Sequence, residues 1–174
     1  GAQWSALGIY GRQNGVQSTV GALSSDGTNL YAGGAFVYAG QTNANFIARF
    51  DGTNWQALNA GLNNTVISLA VTNNLVYAGG LFTGTKTGQP LPYLGSFDGA
   101  SWNSLGSAGG LVYALAVGPN GLYAAGTAYN GSSYGSPFFN RWNGSTWNNM
   151  LVFPPDTTFF AYPISDPVGY DAIA

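Results

Sequence analysis

Charged chemistry is scarce in this chain. Six aspartates, three arginines and one lysine are all it has, with no glutamate, histidine or cysteine. A Ser-His-Asp or Cys-His arrangement needs a base or a thiol that is missing. Zinc and copper sites of the ordinary kind lack their imidazole and thiolate ligands for the same reason. Paired carboxylates for glycoside hydrolysis would have to come from Asp26, Asp51, Asp98, Asp156, Asp166 and Asp171. The first three each precede glycine, a pairing that closes turns. Asp156, Asp166 and Asp171 lie near one another but lack EF-hand spacing, and they read as solvated loop residues. The expectation is no enzyme, and no catalytic residue, metal ligand or cofactor.

Binding chemistry is better supplied. Tyr10, Tyr38, Tyr93, Tyr129 and Tyr134 stand among Asn, Ser, Gly and Pro in predicted loops. Exposed aromatics among neutral polar neighbours suit contacts to glycans or to protein surfaces. These five do not recur at one position of the repeat described next, whereas repeat lectins usually repeat their site. Sequons at Asn63-Asn64-Thr65, Asn130-Gly131-Ser132 and Asn143-Gly144-Ser145 make Asn63, Asn130 and Asn143 candidate glycosylation sites.

The elements that must position these residues are announced by a repeat. Tyr31-Ala32-Gly33-Gly34 returns 46 residues later as Tyr77-Ala78-Gly79-Gly80, and again as Tyr123-Ala124-Ala125-Gly126. Val20, Val66 and Val112 keep that spacing, as do Leu23, Leu69 and Leu115. A second anchor follows: Phe50-Asp51-Gly52 to Trp55, Phe97-Asp98-Gly99 to Trp102, and Trp142-Asn143-Gly144 to Trp147. Each unit reads as four short strands, alternating apolar and polar and separated by Asp-Gly or Asn-Gly hairpin signals. No segment sustains a helical period.

Four antiparallel strands at this period describe a blade of a β-propeller. The expected fold is all-β, with complete blades at about 16–59, 60–107 and 108–151. Partial blades are expected at 1–15, around Trp4 and Leu7, and at 152–174, with strands over 159–165 and 169–173. Ala and Gly in the second strand allow backbones to approach closely, and the recurring aromatics fill the wider space between blades. Three arrangements complete the circle: further blades from a longer chain, a tight ring closed by the N-terminal strand, or blades pooled by two chains. The first is expected.

Composition narrows the setting. Charged residues make up 6% of the 174, against 45% hydrophobic, so the chain folds and covers itself with neutral polar groups. Arg12, Arg49, Lys86 and Arg141 are scattered, which argues against nucleic acid. No apolar run is long enough to span a bilayer. A net charge of −2 gives little repulsion between copies.

The string Leu30-Tyr31-Ala32-Gly33-Gly34-Ala35-Phe36, with Ala39-Gly40, Phe46-Ile47-Ala48-Arg49-Phe50-Asp51-Gly52 and Trp55, resembles the kelch-like propeller repeats of large secreted and cell-surface proteins. The resemblance covers residues 2–151. The third copy departs from it: Ala125 replaces a glycine, Ala128 the phenylalanine and Asn143 the aspartate. The metal-radical oxidases that share such propellers need Cys and His, which this chain lacks. Sialidase-type propellers place Trp five residues after the Asp of their box, whereas Asp51–Trp55 and Asp98–Trp102 are four apart. The resemblance implies a scaffold or binding platform. The resulting expectation is a non-enzymatic structural or adhesive scaffold, extracellular or on the cell surface. Its partners would be proteins, glycans or copies of itself, and glycan binding through the loop tyrosines is the alternative.

Overall fold

The computed structural model describes residues 15–72 and 75–151. The end strands expected around Trp4 and over 159–165 and 169–173 lie outside the described residues. So do Tyr10, Asn73, Asn74, Asp156, Asp166 and Asp171.

Alternating side chains and short turns give strands throughout, and no helix occurs among the described residues. No helix there is long and apolar enough to cross a membrane. The first sheet begins with β1 (Val20–Ser25) and β2 (Leu30–Gly34). After a small separate hairpin, β3 (Tyr38–Ala39) and β4 (Thr42–Asn43), it ends with β5 (Ile47–Phe50) and β6 (Trp55–Ala57). The second sheet holds β7 (Val66–Val71), β8 (Val76–Gly80), β9 (Leu94–Phe97) and β10 (Trp102–Asn103). The third holds β11 (Leu111–Gly118), β12 (Gly121–Tyr129), β13 (Tyr134–Trp142) and β14 (Trp147–Asn149). All three are antiparallel meanders in which each strand pairs with the next one in the sheet.

The outer turns use one device. The side-chain Oδ1 of the leading Asx residue accepts two backbone N–H groups just ahead of it. Asp51 takes those of Thr53 and Asn54 at 2.9 and 2.7 Å, and Asp98 those of Ala100 and Ser101 at 2.9 and 2.7 Å. Asn143 does the same for Ser145 and Thr146 at 3.0 and 2.9 Å. The following Gly52, Gly99 and Gly144 adopt φ of 94°, 96° and 104°, which a side chain would disfavour.

The sheets stack in series through a contact made twice. A Cβ on Gly33 would stand 2.4 Å from Val66 Cγ1 and 3.4 Å from Leu69 Cδ1. A Cβ on Gly79 would stand 2.5 Å from Val112 Cγ1 and 3.3 Å from Leu115 Cδ1. Glycine in β2 and β8 is therefore a socket, and the Val–Leu pair on the next sheet's first strand is the knob. Ile47 and Leu94, paired directly across from Gly33 and Gly79, share the socket face and are fully buried. Indole hydrogen bonds reinforce both boundaries. Trp102 Nε1 donates to the Leu58 carbonyl at 3.1 Å, and Trp147 Nε1 to that of Leu105 at 2.9 Å. The core accordingly lies between sheets, with Tyr31, Leu62, Val66 and Phe82 at the first boundary and Leu94, Val112 and Ala124 at the second.

Candidate functional site

The end of the sheets away from the Asx turns carries the connections between each second and third strand. In the first two sheets the chain leaves at Gly34 or Gly80, folds back, and buries Phe36 or Phe82 completely. Each excursion returns on an aromatic in left-handed backbone, Phe46 at φ 72° and Tyr93 at φ 65°. That conformation is costly for a bulky residue and is held here by main-chain bonds. Tyr93 N–H donates to the Phe82 carbonyl at 3.0 Å, while its own carbonyl accepts from Gly80 N–H at 3.1 Å.

The third sheet has no excursion. Strands β12 and β13 run on into a hairpin closed at Asn130–Ser133, where Asn130 Oδ1 accepts the Ser132 and Ser133 N–H groups at 3.0 and 2.9 Å. Sequence reading places Tyr129 and Tyr134 in loops, but Tyr129 ends β12 and Tyr134 opens β13. Pro137 is accommodated because β14 pairs β13 only over Asn140–Trp142, leaving its outer side free of ladder bonds where proline has no N–H to give.

Three of the five sequence-selected tyrosines meet at this hairpin. The rings of Tyr93 and Tyr129 are 6.2 Å apart, edge to face. Those of Tyr129 and Tyr134, a cross-strand pair, are 5.3 Å apart. Tyr129 is fixed by its hydroxyl, which donates to the Gly131 carbonyl at 2.9 Å. Tyr134 is 67% exposed. The cluster bridges the second and third sheets and is edged by Asn130, Ser132 and Ser133. Tyr, Ser, Gly and Asn are the residues that binding loops favour, because they give contact area and hydrogen bonding at low entropic cost. Tyr38, 44% exposed on β3, stands apart from the cluster, and Tyr10 lies outside the described residues.

The candidate glycosylation sites are all exposed. Asn130 and Asn143 lend their Oδ1 atoms to turns. Asn63 is more committed: Oδ1 accepts from Thr83 and Gly84 N–H at 2.9 and 3.2 Å, and Nδ2 donates to Thr83 Oγ1 at 3.1 Å. A glycan on Asn63 Nδ2 would compete with the bond to Thr83 Oγ1 and leave the two Oδ1 bonds that pin the second excursion.

At the opposite end, a cleft of about 820 Å³ opens between the first two sheets, lined by Asp26, Tyr31, Arg49, Gln56, Asn59 and Asp98 among others. Asp26 Oδ2 accepts from the Tyr31 hydroxyl at 3.1 Å, Arg49 donates to Gln56 Oε1, and Gln56 Nε2 donates to Asp51 Oδ2 at 2.6 Å. The Asn29 amide, chiefly, holds the Asp26 carboxyl far below the usual carboxylate range, and the Ser101 amide lowers that of Asp98. Burial, followed by the bond to Asp26, raises the Tyr31 phenol. A general acid needs the opposite shift. These carboxylates stay ionised and serve turns.

Sequence reading missed this cleft. Its signal was a departure from the repeat: Asp26 stands where the second and third units have Thr72 and Gly118, and Arg49 where the second has Ser96. No protein-family model matches the chain, and no curated protein matches it either.

Proposed function

We propose that this chain is a kelch-like propeller scaffold, non-enzymatic and extracellular or cell-surface, that holds partners through the connections at one end of its blades. One observation carries the reading. The boundary between sheets is constant, glycine against Val–Leu and indole against carbonyl, while the second-to-third-strand connections diverge in length, fold and sequence. A constant frame with variable ends is how a scaffold presents contacts. Serial stacking through first strands supports the propeller. The capped, ionised aspartates support a role without proton transfer. Self-assembly into a fibre or layer is a version of the same reading.

The test shortens the third hairpin to a two-residue Asn-Gly turn and compares binding to intact cell surfaces with that of the parent chain. The expected result is an unchanged thermal midpoint and lost binding. Equal binding by both proteins would remove the hairpin from the function.

The tyrosine cluster favours a second reading, glycan binding. Tyr134→Ala should weaken binding to immobilised glycans about tenfold, the loss of roughly 1.4 kcal/mol, if Tyr134 is a contact residue. Tyr38→Ala, outside the cluster, serves as the control.

A further inference from the structure

The cleft between the first two sheets carries groups that the turns and the stacking do not use up. Asp26 and Arg49 occur together only in the first of the three units. The second unit has Thr72 and Ser96 at those places, and the third has Gly118 and Arg141. Tyr31, Arg49 and Gln56 are direct cross-strand neighbours on β2, β5 and β6, so they form one polar strip along the first-sheet wall. The opposite wall offers half-buried Leu75 and the Asp98 turn. Asn59 ties the walls together, its Nδ2 donating to the Ala100 carbonyl at 2.6 Å. The groups left over decide what the cleft can take. Asp26 is saturated: its two oxygens accept four donors, the Thr28 and Asn29 amides, Asn29 Nδ2 and the Tyr31 hydroxyl. Asp98 accepts three and keeps an acceptor position on Oδ2. Asn59 Oδ1 accepts from no group among the described residues. Arg49 donates to neutral groups, Gln56 Oε1 and the Tyr31 phenol, and has more N–H groups than these two accept.

We propose that this cleft binds a neutral saccharide, with Arg49 as donor and Asp98 and Asn59 as acceptors. A hydroxyl donates and accepts at once, so neighbouring ring hydroxyls match spare donors set beside spare acceptors. Charged ligands fit less well. An ammonium meets the Arg49 guanidinium and finds Asp26 already saturated. A carboxylate or phosphate drawn to Arg49 meets Asp26 and Asp98 on the two walls. Leu75 supplies an apolar patch for the C–H face of a sugar ring. The volume of about 820 Å³ lies within the range of roughly 300–1,000 Å³ usual for small-molecule sites. The site is at the opposite end of the sheets from the tyrosine cluster, so it stands apart from binding at the hairpin.

Nitrogen-15 NMR of the full chain, titrated with the methyl glycosides of glucose, galactose and mannose, tests this. At least one glycoside should give saturable shifts at Arg49 Nε and at the side-chain amides of Gln56 and Asn59. Arg49→Ser installs the residue that the second unit carries at the same place, and it should weaken that binding about tenfold or more. Should Arg49→Ser fail to fold, Asn59→Gly keeps the left-handed backbone at φ 57° and carries the same expectation. Glucosamine and glucuronate should bind more weakly than the neutral glycoside. The proposal is overturned if none of the three glycosides gives a saturable shift, or if the folded variant binds as the parent does. Shifts centred on Tyr129 and Tyr134 alone would overturn it too, and would assign sugar binding to the hairpin. Tighter binding of either charged sugar would overturn the neutral class.

Discussion

In the second sheet the chain beyond Gly80 folds back under its own strands, seats Phe82 with no exposure, and is pinned by Asn63. In the third sheet the equivalent chain runs straight on into β12 and β13, with Ala128 where phenylalanine stood. Phe138 supplies the apolar bulk from the facing strand, lying so close to Gly109 that a Cβ there would be 2.9 Å from its ring. The same frame thus ends in a compact tuck in one place and a projecting hairpin in the other. A buried anchor spends its aromatic on stability, and without it the aromatics are free to face outward. Tyr129 and Tyr134 are what the third sheet gains.

Removing the anchor should break the comparison most forcefully. Phe82→Ala is expected to cost about 3–5 kcal/mol, through lost burial and the cavity left behind. Urea denaturation should show it as a lower midpoint. Ala128→Phe should not be a gain of like size, because Phe138 already holds the space. A shift in midpoint equal and opposite to that of Phe82→Ala would show the two ends to be interchangeable.

The socket comes next. Gly79→Ala should cost about 1–3 kcal/mol, because its methyl must displace the buried Val112. Ala125→Gly should change stability by no more than about 1 kcal/mol, the ordinary price of glycine in a strand. Similar costs at both positions would mean that Gly79 is not a socket. Trp102→Phe keeps most of the ring and drops the indole bond to Leu58, so about 1 kcal/mol is expected by the same denaturation measurement.

Acid gives the smallest and most local contrast. Asp51 and Asp98 have carboxyls lowered from the ordinary 3.8, first by the Asn54 and Ser101 amides respectively. A group depressed in the folded state stabilises it above the unfolded value, and that contribution is lost as pH falls through the folded value. The amides of Thr53, Asn54, Ala100 and Ser101 should therefore keep their protection at pH 3.8 and lose it only as the pH falls further, through the lowered folded values. The amides of Ser145 and Thr146, capped by the uncharged Asn143, should not. Amide exchange followed by NMR separates the two groups.

The frame was legible because its causes are local and repeated. Tyr-Ala-Gly-Gly, the Asx-Gly turns and the tryptophans each encode one strand or turn, and copying fixes their order. The tyrosine cluster was half legible. Tyr93, Tyr129 and Tyr134 were selected as non-repeating aromatics, but only the packing of one sheet on the next brings Tyr93 to Tyr129. The cleft was hidden because Asp26 and Asp98 announce themselves as turn residues, and they are. Their shared rim exists only once the sheets are stacked. Tyr129 and Tyr134 stand in strands instead of loops because β12 and β13 run past the end of β14, and Pro137 is compatible with a strand where that neighbouring ladder has stopped.

The two indole bonds have a practical corollary. Trp102 reports on the boundary between the first and second sheets, and Trp147 on that between the second and third, each through a carbonyl on the preceding sheet. The described sheets are coupled like beads, and the middle one is clamped from both sides. Single-tryptophan versions of this chain would make fluorescence a ruler of where unfolding starts. Nearest-neighbour coupling of this kind predicts that each tryptophan reports the opening of its own boundary, and that the two signals part wherever one boundary gives way before the other.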